Sequence, residues 1–366
     1  MRRISCDNHF VKFQTMDRKP INSIIVLFSI VLLFFITSGC SKKTSVVPGI
    51  NYQKLNEAFS QAQQIGNLRS LIVYAKDTII KEACYGTGGS NVRHDIRSVT
   101  KSVTGILIGI AIDKGFIKSI EQTLGDYLDT NVYNISTAQA AIKIKHLLTM
   151  SGGFGWDELS SNEQYNNWVT SENQVQYLFD KALVTEPGTY FTYNTAALHL
   201  LSVIIEKASG MKTKDFALKY LFTPMGVEEI EWETDNQGFN NGGSGLQITP
   251  YDMVKIGNLI LNNGIHNGTP IVSGDYLNQS ILTHISTNNT MSFGPGYGYC
   301  WWTGQNTKGN YAFANGYGGQ FIVIVPSLKL IVVATNQWNG VGFTQANNQW
   351  YATLDLILNK ILQAFN

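Results

Sequence analysis

The chain has 366 residues, 44% of them hydrophobic and 14% charged, which is enough to bury one large core or two small ones. Its 27 basic and 26 acidic residues nearly cancel, and a balance this close to neutral argues against nucleic acid as a partner. With four cysteines, six histidines and no pair of them at metal-ligand spacing, the sequence predicts neither a metal site nor a cofactor.

The first forty residues stand apart. Arg18 and Lys19 precede the apolar run Ile24 to Ile36, and Thr37-Ser-Gly-Cys40 follows, giving the charged, apolar and small-residue parts of an export signal. The run is too short for a comfortable membrane span. Ser38-Gly39-Cys40 resembles the lipobox of bacterial lipoproteins, which implies acylation of Cys40 after removal of residues 1–39. Cleavage there takes five of the basic and two of the acidic residues and leaves a formal charge of −2. Residues 40–50 then read as a tether and residues 51–366 as the working domain. Of the remaining cysteines, Cys84 and Cys300 could pair or could each be a small buried hydrophobe.

From Asn51 the apolar spacing predicts a helix to Gly66, then a hairpin of Ser70–Ala75 and Thr78–Tyr85 turning at Lys76-Asp77. The glycine-rich loop after it has no Lys-Ser or Lys-Thr to make a phosphate cradle. Next comes the stretch Ser98-Val-Thr-Lys101, which opens a run apolar or small on every face to Ile112, the pattern of a buried helix. Ser98 and Lys101 are three apart, so a helix puts hydroxyl and amine on one face at its positive end. A bare Ser-x-x-Lys is common, and Ser209-Gly-Met-Lys212 also fits. That second match follows a helical pattern and reads as a C-cap.

A helix is expected over Ala138–Met150, then a loop with Trp156, which is rich in Gly and aromatics and suited to lining a cleft. Tyr193-Asn194-Thr195 stands just before an apolar helix, Ala196–Ser209, capped by Asn or Thr. Thr249-Pro-Tyr-Asp252 is a further helix start. Strands Tyr297–Trp302, Tyr311–Asn315, Gln320–Val325 and Leu330–Thr335 predict an antiparallel meander, and Asn347–Phe365 a closing helix. Strands at both ends imply an α/β fold of the α+β sandwich kind. One antiparallel sheet would be built from both termini, with a mainly helical insertion over roughly residues 100–290 and a cleft between the lobes.

Ser98-Val-Thr-Lys101, Pro187 to Thr195 and Ala314-Asn315-Gly316-Tyr317-Gly-Gly-Gln320, in that order, resemble the serine hydrolases grouped with class C β-lactamases and penicillin-binding proteins. The look is nearest to the 6-aminohexanoate-dimer hydrolase and esterase branch. The resemblance implies acylation of Ser98, with Lys101 and the Tyr193 phenol sharing its proton and the backbone N–H groups of Ser98 and Tyr317 as oxyanion hole. A tyrosine beside an ammonium is expected to be pushed towards phenolate. Trp156, Asn194, Thr195, Asn315 and Gly316 are expected to line the substrate. Two departures matter: Tyr193-Asn194-Thr195 stands where β-lactamases have Tyr-x-Asn, and Ala314 where they have Lys. A substrate carboxylate would lack its cationic partner on that strand, unless a Lys or Arg from another loop supplies one.

These features predict an envelope serine hydrolase acting on a small ester, amide or peptide, with the membrane as its other partner through Cys40. A β-lactamase or D-Ala-D-Ala-type peptidase, and a catalytically silent ligand-binding sensor of the same fold, are the alternatives.

Overall fold

Alternating and continuous apolar runs at the two ends of the chain meet in one sheet. The computed structural model describes residues 47–86, 89–288 and 290–366, so the signal segment and Cys40 lie outside the described residues. Eight strands pair antiparallel throughout: β1 (Leu68–Ala75), β2 (Thr78–Cys84), β3 (Ile285–Ser286), β4 (Gly296–Tyr297), β5 (Trp302–Asn306), β6 (Gly309–Gly316), β7 (Gln320–Val325) and β8 (Leu330–Asn336). Their order across the sheet is β2-β1-β8-β7-β6-β5-β4-β3. The N-terminal hairpin therefore docks on the last strand, Leu71 opposite Ala334 and Val73 opposite Val332. Lys76 and Asp77 take φ of 50° and 60°, the doubly left-handed turn whose twist matches that of the two strands it joins.

Strands β7 and β8 are buried along their whole length, because helices cover both faces of the sheet. Helices α2 (Val99–Asp113) and α4 (Pro250–Leu261) lie on one face, α1 (Tyr52–Ala62) and α5 (Phe343–Leu356) on the other. Thr249 caps α4 by accepting from the Asp252 N–H at 3.1 Å, while Asp252 accepts from the Thr249 N–H at 3.2 Å, the reciprocal box expected there. Helix α3 (Thr195–Ser209) packs against α2 on the side away from the sheet and ends at Gly210 in the left-handed conformation.

Helix α2 is buried from Val99 to Ala111, enclosed by the sheet, α3 and the segment around Tyr276. Gly109 is required there, since a Cβ would stand 2.3 Å from the Tyr276 ring. Val103, Ile106, Leu107, Ile108 and Ile110 are each at most 1% exposed. At about 1.5–3 kcal/mol for each side chain buried, they fix the helix as part of the core.

Three expected elements differ. The single helix over Ala138–Met150 is two short ones, Thr137–Ala140 and Ile144–Leu148, because Lys143 bridges to Thr123 and interrupts the turn between them. The strand Tyr297–Trp302 is broken: Cys300 has φ 65°, its N–H donates to Leu148 O at 2.9 Å, and Gly298 N–H donates across the turn to Trp301 O at 2.8 Å. Residues 47–50, expected to be part of a tether, belong to the folded unit: Asn366 N–H donates to Gly49 O at 3.1 Å and Ile50 bridges to Phe365. Cys84 is exposed, Cys300 buried, and both are free thiols. No helix among the described residues is long and apolar enough to cross a membrane.

Candidate active site

At the N-terminus of α2 the chain leaves a small three-stranded sheet, in which His94–Asp95 pairs with Leu246–Ile248, and passes through Arg97 at φ 49° into the helix. Ser98 occupies the N-cap position, its hydroxyl making no cap bond and its side chain partly open to solvent. One turn on, Lys101 is 2% exposed, and its Nζ lies 2.8 Å from Ser98 Oγ and donates to Gly243 O at 2.9 Å. Burial lowers the Lys101 pKa from its usual range to about 8, against an opposing pull from the Glu158 carboxylate and with help from the Arg97 charge.

Tyr193 closes the third side. Lys101 Nζ is 4.9 Å from the centre of its ring, and the ring stacks on Trp302 at 5.8 Å. The Ser98 hydroxyl also lies against the phenol and eases its ionisation. Desolvation outweighs that help, and the Glu158 charge adds to it, so the phenol is held well above its usual range. This corrects the expected drift towards phenolate: Tyr193 stays protonated, and Lys101, with its pKa lowered to about 8, is the group that deprotonates first.

The backbone completes the arrangement. Gly316 ends β6 against the segment that carries Ser98, so closely that a Cβ on Gly316 would stand 2.5 Å from Ile96 O. Tyr317 follows in a turn closed by Gly319 N–H donating to Gly316 O at 3.1 Å. Among the described residues neither the Ser98 nor the Tyr317 N–H has an acceptor, which leaves two donors for an oxyanion.

The structure does not bring every expected lining residue to this cleft. Side chains alternate along a strand, so Asn315 faces the opposite way from Gly316; its Oδ1 accepts from the Trp350 indole on α5 at 2.5 Å. The Asn194 side chain caps α3, accepting from Ala197 N–H at 2.8 Å. Thr195 gives its N–H to Glu158 Oε2 at 2.7 Å and its hydroxyl to Glu158 Oε1 at 2.5 Å. The Trp156 indole donates to the same carboxylate at 2.7 Å. Asn194 and Thr195 thus fix the start of α3 rather than offer polar groups to a ligand, and Trp156 steadies Glu158.

Two groups were not legible as site residues. Glu158 ties the Trp156 loop to α3 one residue past Asn194 and exerts its charge on both Lys101 and Tyr193. Its one signal was its place in a loop already noted for aromatics. His199, buried in α3, accepts from Gly242 N–H at 3.2 Å through Nδ1, so its Nε2–H donates to Asp235 Oδ2 at 3.1 Å. Asn241 Oδ1 accepts from Gly243 N–H at 2.9 Å, and the loop so held aims the Gly243 carbonyl at Lys101.

The β-lactamase family matches residues 58–354 of the chain. The chain belongs to that family. It is 24% identical over 264 residues to the 6-aminohexanoate-dimer hydrolase of Paenarthrobacter ureafaciens, a match covering 67% of this chain and 66% of that one, just under two thirds of the relative's length. Among solved structures, the octameric penicillin-binding protein homologue from Pyrococcus abyssi superposes with a TM-score of 0.66 at 18% identity, covering 86% of this chain and 79% of that one. EstCE1, a hydrolase with promiscuous acyltransferase activity, superposes with a TM-score of 0.64 at 15% identity, covering 82% and 98%. At these identities the superpositions show a shared fold: the large antiparallel sheet flanked by helices is that of the β-lactamase-like hydrolases.

Proposed function

We propose that the protein is a cell-envelope serine hydrolase that cleaves an ester or amide through an acyl-enzyme on Ser98. The observation that carries this reading is the 2.8 Å approach of a desolvated Lys101 amine to the Ser98 hydroxyl. A serine hydroxyl is a weak nucleophile at neutral pH and needs such a base at hydrogen-bond distance.

In this reading neutral Lys101 accepts the Ser98 proton as Oγ adds to the substrate carbonyl. The oxyanion takes hydrogen bonds from the Ser98 and Tyr317 N–H groups, each worth about 3 kcal/mol in the transition state. As the tetrahedral intermediate collapses, the Tyr193 phenol gives its proton to the departing oxygen or nitrogen and recovers one from Lys101. Water then repeats the sequence against the acyl carbonyl, losing a proton to the same pair, and Ser98 leaves protonated. The carbonyl of Gly243 holds the amine in place throughout.

The envelope location rests on the sequence pattern from Arg18 to Cys40, with Cys40 as the acylated residue. A fluorophosphonate probe tests the chemistry: it should label the wild type and leave Ser98→Ala dark. A wild type that takes no label would overturn the hydrolase reading and favour a ligand-binding sensor.

A further inference from the structure

A guanidinium stands beside the nucleophile with most of its hydrogen-bonding capacity unspent. Arg97 immediately precedes Ser98 at φ 49°, a left-handed conformation that is strained for a side-chain-bearing residue and that glycine would adopt freely. The backbone is anchored without the side chain: Arg97 N–H donates to Asp95 Oδ1 at 2.8 Å, and Arg97 O accepts from Thr100 N–H at 3.0 Å. Something other than local geometry therefore favours arginine here.

The side chain lies face-on over the Trp338 indole, its guanidinium carbon 4.3 Å from the ring centre. Trp338 is fixed by an indole N–H bond to Asp95 O at 3.3 Å and abuts Gly318, one residue past the Tyr317 N–H. The Tyr165 phenol flanks the guanidinium on another side and takes a hydrogen bond from it. Because Arg97 directly precedes Ser98 and the Trp338 ring beneath it abuts Gly318 next to Tyr317, the stacked pair borders the same cleft, and its charge also acts on Lys101 and Tyr193. Five N–H donors are available, yet the one carboxylate contact is a single Nη1 to Asp95 Oδ2 approach at 3.4 Å, and the buried Nε has no partner. The side chain keeps 20% of its surface exposed. Glu233 also faces this charge; burial and Asp95 push its pKa up while Arg97 pulls it down.

We propose that Arg97, held flat by Trp338 and flanked by Tyr165, is a carboxylate subsite, so that the substrate bears an anionic carboxylate close to the scissile ester or amide. A planar fork with free donors suits a carboxylate in two-point contact. The sequence shows no cation at Ala314 on β6; here the charge comes from the segment in front of Ser98 instead. The proposal rests on the hydrolase reading above and names its substrate class.

The test compares matched esters with and without a carboxylate: the mono-4-nitrophenyl ester of adipic acid against 4-nitrophenyl hexanoate, and 4-acetoxybenzoate against its methyl ester. The first pair places the charge on the acyl side, the second on the leaving group. In the wild type, kcat/KM should favour the carboxylate member of at least one pair by about 10- to 100-fold, the range of a charged hydrogen bond. Arg97→Gln should bring that ratio to one or below, and Arg97→Lys, which keeps the charge but not the fork, should retain part of it. A ratio taken within one protein cancels any general loss of activity, and if Arg97→Gln does not fold, the wild-type ratio and Arg97→Lys still decide. Turnover with no carboxylate preference in either pair, or a preference unchanged in Arg97→Gln, overturns the subsite alone. No turnover of any ester together with no fluorophosphonate label overturns the hydrolase reading, and the subsite with it.

Discussion

In the proposed mechanism, burial is what makes Lys101 usable as a base. An amine in water is protonated at neutral pH, whereas desolvation at the mouth of α2 brings its pKa to about 8. Because the base must be neutral, kcat/KM should rise with pH through a limb near that value and then level. A solvated lysine would place the limb near 10.5. Glu158 raises the Lys101 pKa, so Glu158→Gln should move the limb to lower pH as well as reduce turnover. A role confined to packing would lower activity without moving the limb, and a pH-rate profile of both proteins separates the two. Lys101→Ala should lower turnover by about 10²- to 10⁴-fold, the usual contribution of a general base, with the far-ultraviolet dichroism unchanged. At this scale the sequence pattern singled out Ser98, Lys101 and Tyr193, which the fold brings together at the start of α2. It misjudged the phenol's ionisation, which depends on how much water the fold removes and on a carboxylate 35 residues away in the chain.

Between elements, the contact that matters most is the end of β6 against the turn into α2. Gly316→Ala would put a methyl group 2.5 Å from Ile96 O, a backbone atom that cannot swing aside. The strand end, and with it the Tyr317 N–H, must retreat from Ser98, so kcat should drop by about 10²- to 10³-fold, as for loss of one oxyanion donor. Steady-state kinetics on a small ester reads this directly. Thr249→Ala, in contrast, removes only the cap of α4, should cost about 1 kcal/mol and should show as a lower Tm with little change in kcat. Caps of this kind were plain in the sequence because they depend on neighbours three residues apart. The break at Cys300 was not, since its cause is a carbonyl at Leu148, brought close only by the fold.

On the scale of the whole molecule, the first described residues and the C-terminal residues pair with one another. Gly49 and Ile50 bond to Asn366 and Phe365, so a protein beginning at Val47 should fold and take the fluorophosphonate label, whereas one beginning at Tyr52 should lose several degrees of Tm. Differential scanning calorimetry on the two lengths checks it. For the full chain we expect incorporation of labelled palmitate that Cys40→Ser abolishes. Absence of label in the wild type would remove the proposed anchor.

Hydrophobic period and short-range caps were enough to place the hairpin, the buried helix, the meander and the closing helix, and hence the sheet drawn from both termini. They also placed the serine and lysine, because three residues of helix fix that pair without reference to anything else. What only the tertiary structure decided is everything that depends on distance through space: Asn315 turned away to Trp350, Asn194 and Thr195 spent on α3, the His199 and Gly243 support beneath Lys101, and Arg97 stacked on Trp338. Those contacts join residues up to 241 positions apart, and no local pattern encodes them, since burial and charge act across the folded core rather than along the chain.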